Sequence, residues 1–152
     1  MSAAPVRRVL AVDFGDARTG LAATDWTGSI VVPLPRIESR DEAAVIAAIA
    51  ALVQERQTQL VVLGMPLTLD GTPGQRAQRT AAFRERLQRA LPIPIDTVDE
   101  SHSTDEAHER LKEGGLTAKR RKDLADSIAA LIILERYRQM QRRPVPPPPP
   151  GA

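Results

Sequence analysis

The stretch Val9-Leu10-Ala11-Val12-Asp13-Phe14-Gly15-Asp16-Ala17-Arg18-Thr19-Gly20 decides how this chain is read. Four apolar residues, two of them β-branched, run straight into an aspartate and a glycine-broken turn. A short apolar run of this kind, closed by glycine, predicts a buried strand over residues 9–14. Asp13 then falls near the strand's end. A carboxylate there is costly to desolvate unless it meets a cation or a donor. Two readings stand open. Asp13 is a turn aspartate capping the next loop, or it marks a metal or phosphate site at the carboxyl edge of a sheet, where open α/β folds bind ligands.

Working outward, 152 residues with 42% hydrophobic content suit one domain with a real core. Aromatic residues are only 3%, so Ala, Val, Leu and Ile must fill that core. So few aromatics also argue against a base-stacking platform. The absence of cysteine excludes disulfides, thiol catalysis and zinc–thiolate sites. The net charge of +2 conceals 21 basic and 19 acidic side chains, a balance that allows nucleic acid as a partner without demanding it. No apolar run approaches the ~18 residues of a membrane span, and the N-terminus carries no hydrophobic signal region. The expected location is therefore the cytoplasm.

Taken in order, Val9–Phe14, Thr19–Thr24 and Gly28–Val32 read as three strands of an antiparallel meander, the third ended by Pro33 and Pro35. Ser39-Arg40-Asp41-Glu42 is a capping-box pattern, with Val45, Ile46, Ile49, Leu52 and Val53 on one face of the helix behind it. Leu60–Leu63 reads as a strand buried on both faces. The loop from Gly64 to Gly74 is punctuated by Gly and Pro; it makes tight turns or brings backbone N–H groups to phosphate. An arginine-rich helix over Gln75–Leu91 follows, then a fifth strand, Ile93–Val98. Ser103-Thr104-Asp105-Glu106 opens a short helix that stops at Gly114-Gly115. The basic block Lys119-Arg120-Arg121-Lys122 precedes a last helix starting at Asp123, and residues 144–152 form an extended proline-rich tail. The order βββ-α-β-α-β-α-α gives an α/β fold with one mixed sheet, three antiparallel strands followed by parallel ones.

Asp13 and Glu100 (or Asp99) both sit at strand ends. If the two strands are parallel, their carboxyl ends share one edge of the sheet. Asp126, in the expected first turn of the last helix, can point to the same edge, although acids in a first turn are also ordinary helix chemistry. Three converging acids need cations, and hard oxygen ligands suit Mg²⁺ or Mn²⁺. A pair of such ions can activate water and stabilise the leaving oxygen of a phosphodiester. Lys119–Lys122 would meet the phosphate backbone, unless the block is simply a solvated loop.

Several motifs occur in the order of one known family: Asp13-Phe14-Gly15 with Arg18 and Gly20; Gly64-Met65-Pro66-Leu67 with Asp70-Gly71-Thr72; Asp99-Glu100; and Asp126-Ser127 with Ala129-Ala130 and Ile133-Leu134-Glu135. Over roughly residues 8–140 the chain resembles the YqgF/RuvX family, which is ribonuclease-H-like in fold. That family is described as candidate Holliday junction resolvases and as nucleases for the 5′ end of precursor 16S ribosomal RNA. The resemblance implies a ribonuclease-H-like nuclease domain over residues 1–143, with Asp13, Glu100 and Asp126 as the catalytic, metal-binding triad and two Mg²⁺ or Mn²⁺ ions. It also favours the Gly64–Gly74 loop as a substrate-side loop. Arg18, Arg76, Arg79, Lys119, Arg120, Arg121 and Lys122 are candidates for contact with nucleic acid, a four-way DNA junction or precursor rRNA. The twofold symmetry of a junction suggests a homodimer.

One position departs from the family pattern. Where the family has arginine after the glutamate, this chain has Ser101 followed by His102. Serine does not replace a guanidinium fork. Arg18, Arg76 or the basic block would then supply the phosphate contact, and His102 is a proton shuttle or an ordinary loop histidine. A catalytically silent adaptor is the competing reading. An ATP-binding protein of the actin and sugar-kinase type ranks behind both, since that architecture needs two such halves and this chain has room for one.

Overall fold

The structure, a computed structural model, describes residues 8–25, 27–66, 74–100 and 118–142, with side chains of the last helix described over 127–140. The order is β1 (Val9–Asp13), β2 (Arg18–Thr24), β3 (Val31–Glu38), α1 (Glu42–Arg56), β4 (Leu60–Met65), α2 (Gln75–Ala90), β5 (Ile95–Asp99) and α3 (Ala118–Arg142). The strands form one sheet in the order β3-β2-β1-β4-β5. β1 pairs antiparallel with β2, and β2 antiparallel with β3, while β1, β4 and β5 run parallel. The expected mixed α/β sheet is therefore present, and the architecture is ribonuclease-H-like. No helix among the described residues is long and apolar enough to cross a membrane.

The period of two along each strand divides the core into two layers. Leu10 and Val12 of β1, with Val61 and Leu63 of β4, pack against Val45, Ile49 and Val53 of α1 and Phe83 and Leu87 of α2. Their neighbours Val9, Ala11, Leu60 and Val62 pack on the other side against Ala130, Ile133, Leu134 and Tyr137 of α3. The unbroken apolar run of β4 follows from this arrangement, since both of its faces are covered.

Three local features differ from the sequence reading. The third strand does not end at Pro33 but runs through Pro33 and Pro35 to Glu38. It is an edge strand, and two prolines spaced by two residues put their missing N–H groups on the same, outer side. A register shift between Thr19 and Leu21 adds a bulge to this edge. The N-cap of α1 is Asp41, whose carboxylate accepts from Ala43 N, while Ser39 Oγ accepts from Asp41 N one step earlier. The last helix begins at Ala118, not Asp123. Ala, Lys and Arg are strong helix formers, so Lys119–Lys122 forms the helix's opening turns instead of a loop before it. Asp126 is consequently beyond the first turn. The short helix opened by Ser103, the loop around Asp70-Gly71-Thr72, Ser101-His102 and the tail lie outside the described residues.

Candidate active site at the carboxyl edge of the sheet

β1, β4 and β5 end at one edge, and that edge carries the acids. Asp13 is the last residue of β1, on the side of the sheet that packs against α3, in step with Ala11. Its register partner on β2 is Gly20. One step beyond the Val12–Leu63 pair, its neighbour on β4 is Gly64. Asp13 is thus flanked on both strands by residues without side chains.

Glu100 follows β5, and its N–H donates to Met65 O at 3.1 Å. Two residues after Val98, it belongs to the same α3-facing side. Its side chain folds back over β4: a Cβ added to Gly64 would lie 2.9 Å from Glu100 Oε2 and 2.5 Å from Ile133 Cδ1. The Glu100 carboxylate therefore occupies the place a side chain at 64 would take. This puts it about one strand spacing, roughly 4.8 Å, from the Asp13 side chain. Both acids are 6% exposed. Asp99 is exposed, so burial separates the two acids that the sequence left as alternatives for this edge.

α3 crosses above this edge. Ser127 Oγ donates to Leu34 O at 2.8 Å, Ile133 touches Gly64, and Arg136 Nη1 donates to Asp99 O at 3.0 Å. Position 126 lies next to the Ser127 anchor and one turn before Ala130, on the stripe that continues through Ile133 and Tyr137. The Asp126 side chain lies outside the description, as do those of Lys119, Arg120, Arg121 and Lys122. Among the described residues no group of three potential ligands gathers. The donor set fits a divalent cation all the same. Two buried carboxylates side by side are costly unless a cation or donors meet them, and all-oxygen donors suit Mg²⁺ or Mn²⁺.

Arg18 opens β2 at this same edge and is exposed, opposite Glu38 of β3. Arg76, in the first turn of α2, is exposed as well. The sequence reading gives Ser127 and Arg136 no role and Gly64 only a place at the start of the substrate-side loop. Gly64 had a signal, an isolated glycine closing an apolar strand, which points to close approach. Ser127 and Arg136 had none, because their partners are carbonyls of distant strands. The β1–β2 turn is tight: a Cβ on Gly15 would collide with the Arg18 carbonyl oxygen. Phe14 of that turn stacks on Phe83 with ring centroids 3.9 Å apart.

The chain matches the profile of the family described as RuvX, Holliday junction resolvase, over residues 7–139. It is 40% identical over 140 residues to a protein of Synechococcus elongatus named provisionally as a pre-16S rRNA nuclease, covering 92% of this chain and 94% of that one. In fold it is similar to Thermus thermophilus RuvC, solved with a Holliday junction substrate. That match has a TM-score of 0.55 at 15% identity and covers 88% of this chain and 95% of RuvC. A fowlpox virus resolvase, solved with junction DNA, gives 0.53 at 11% identity over 90% and 99% of the two chains. The chain belongs to the RuvX family, a family of nucleases.

Proposed function

We propose that this chain is a divalent-metal-dependent endonuclease that hydrolyses phosphodiesters in structured nucleic acid. The observation that carries this reading is the pair Asp13 and Glu100, buried side by side at the carboxyl edge beneath α3. Asp13, Glu100 and Asp126 would hold two Mg²⁺ or Mn²⁺ ions. Bound there, such ions supply an activated water and neutralise charge on the leaving oxygen. The chain's own residues do the rest. The glycine at 20 leaves the β2 side of Asp13 without a side chain, while the place beside Gly64 is taken by the Glu100 carboxylate. Ser127 and Ile133 fix α3 over the sheet, and with it the backbone at 126. Arg18 and Arg76 stand exposed at the same edge, where the strand on either side of the cut bond would pass. Lys119, Arg120, Arg121 and Lys122, in the opening turns of α3, would add contacts to the phosphate backbone.

The relatives' names support as substrate the 5′ end of precursor 16S rRNA, a four-way DNA junction, or both; the proposed place of action is the cytoplasm. A junction has twofold symmetry, so its symmetric cleavage predicts a homodimer. The test is cleavage of a labelled four-way junction, matched duplex DNA and a precursor-like RNA in Mg²⁺ or Mn²⁺, with Asp13→Asn as control. Metal-dependent cutting that the substitution abolishes supports the reading. Binding of all three without cutting of any overturns it in favour of an adaptor.

A further inference from the structure

On the other side of the sheet, the β1–β2 turn meets the start of α1 and the middle of α2 around a cleft of about 250 Å³. Its floor is Phe14, held rigid by the stack on Phe83. Its walls carry three arginines from two elements of the fold: Arg40 just before α1, and Arg79 and Arg86 on α2. Residues 79, 82 and 86 share a helical stripe, and the small Ala82 between the two arginines keeps the space open. Two acids face them. Arg79 Nη1 lies 2.7 Å from Asp16 Oδ1, and Arg86 Nη2 lies 2.9 Å from Glu42 Oε2.

The first is a surface pair, whereas Arg86 holds Glu42 through two N–H groups. The Arg79 and Asp16 side chains are 59% and 64% exposed. Exposed ion pairs of this kind are weak and give way readily to a competing acceptor. A phosphodiester competes for the same guanidinium, because the fork engages it through two N–H groups as it does a carboxylate. The cleft also begins where the acidic site ends. Phe14, Gly15 and Asp16, which line it, are the three residues directly after Asp13. Three residues span at most about 10 Å, a reach of up to about three nucleotides along a strand.

We propose that the Arg40–Arg79–Arg86 cleft beside the β1–β2 turn binds a phosphodiester of the substrate strand, within about three nucleotides of the bond that is cut. The strand passes over the end of β1, from the acidic site on the α3 side to the arginines on the α1–α2 side. Arg79 exchanges Asp16 for phosphate when the strand arrives, so Asp16 holds the guanidinium ready and competes with the ligand. This assignment rests on the nuclease reading above.

The test is equilibrium binding of the full chain to a labelled four-way DNA junction and to a precursor-like RNA, over a series of salt concentrations. Arg79→Ala and Arg40→Ala are each expected to weaken binding several-fold with both substrates and to lower the salt slope by about one. Asp16→Asn is expected to tighten binding, because it removes the competing charge. Arg89→Ala, on α2 but outside the cleft, serves as the control and is expected to bind as the unsubstituted chain does. If the Arg79–Asp16 pair merely clasps the turn, Arg79→Ala and Asp16→Asn shift affinity in the same direction or not at all, and the cleft assignment falls. It falls too if Arg89→Ala weakens binding as much as Arg79→Ala. A parent chain that cuts substrate while the variants behave in these ways keeps the nuclease reading intact. A parent chain that binds neither nucleic acid overturns both.

Discussion

Glu100 lies over Gly64, its Oε2 2.9 Å from where a Cβ at that position would be. The absent side chain of one strand is thus the seat of the carboxylate from the next. Gly64→Ala would have to displace the Glu100 carboxylate, Ile133 of α3, or both. Overpacking of this kind costs about 1–3 kcal/mol. A shift of about 1 Å in a reacting group lowers rates by about 10²-fold. The variant should melt earlier and cut much more slowly, while binding nucleic acid nearly as well. Thermal unfolding and single-turnover cleavage check this together. Cleavage at the parent rate would mean that the position of Glu100 does not matter.

Asp13 and Glu100 bury two carboxyl groups about one strand spacing apart, and a buried carboxyl group is costly to keep charged. Asp13→Asn and Glu100→Gln should therefore each raise the melting temperature of the metal-free chain. Adding Mg²⁺ or Mn²⁺ should stabilise the parent more than either variant, since a ligand that binds only the folded state raises stability by mass action. Cleavage should fall by at least about 10²-fold in both variants. Melting curves with and without metal separate this from a structural role. If the acids serve only as turn caps, the substitutions lower stability and metal changes nothing.

The sheet was legible in the sequence because its signals are local. Apolar runs of four to six residues, glycine after Asp13 and glycine at 64 mark strands and edges without knowledge of the whole. Edge and centre were not legible: Pro33 and Pro35 read as terminators until β3 is known to lie at the rim. The start of α3 was missed because a basic run is equally a helix turn and a solvated loop, and residue type alone does not separate them. Of the acidic site, the residue types and strand ends were readable. The choice of Glu100 over Asp99 follows from which side of β5 faces α3. The arginine cleft was not readable, since it joins residues 14–16, 40 and 79–86 across three elements.

Asp25 organises the β2–β3 turn. Its Oδ1 accepts from Thr27 Oγ1, Ser29 N and Ile30 N. The Thr27 hydroxyl, with the backbone N–H groups of Ile30, Ser29 and Gly28, holds its carboxyl below the ordinary value of 3.8. A folded-state pKa below the unfolded one contributes stability that is present above the unfolded value and lost as pH falls through the folded value. The parent should therefore be more stable than Asp25→Ala at neutral pH, with the difference shrinking only below about pH 4. Melting of both proteins across the acid range tests this. A difference that closes between pH 5 and 7 would point to another group.

Ser127 anchors α3 to the edge strand by donating to Leu34 O at 2.8 Å, and it is 6% exposed. Removing the hydroxyl loses one buried hydrogen bond, about 1 kcal/mol of stability. The consequence for function is larger than that loss. Position 126 is adjacent, so the bond fixes where the α3 backbone stands relative to Asp13 on the sheet below. Ser127→Ala should lower the melting temperature modestly, reduce cleavage by about 10-fold or more, and leave the affinity for nucleic acid unchanged. Raising Mg²⁺ or Mn²⁺ should recover part of the lost rate, because a loosened carboxylate set binds its ions more weakly without losing them. If the rate loss is indifferent to metal concentration, Ser127 supports the fold alone and the helix does not position the third carboxylate.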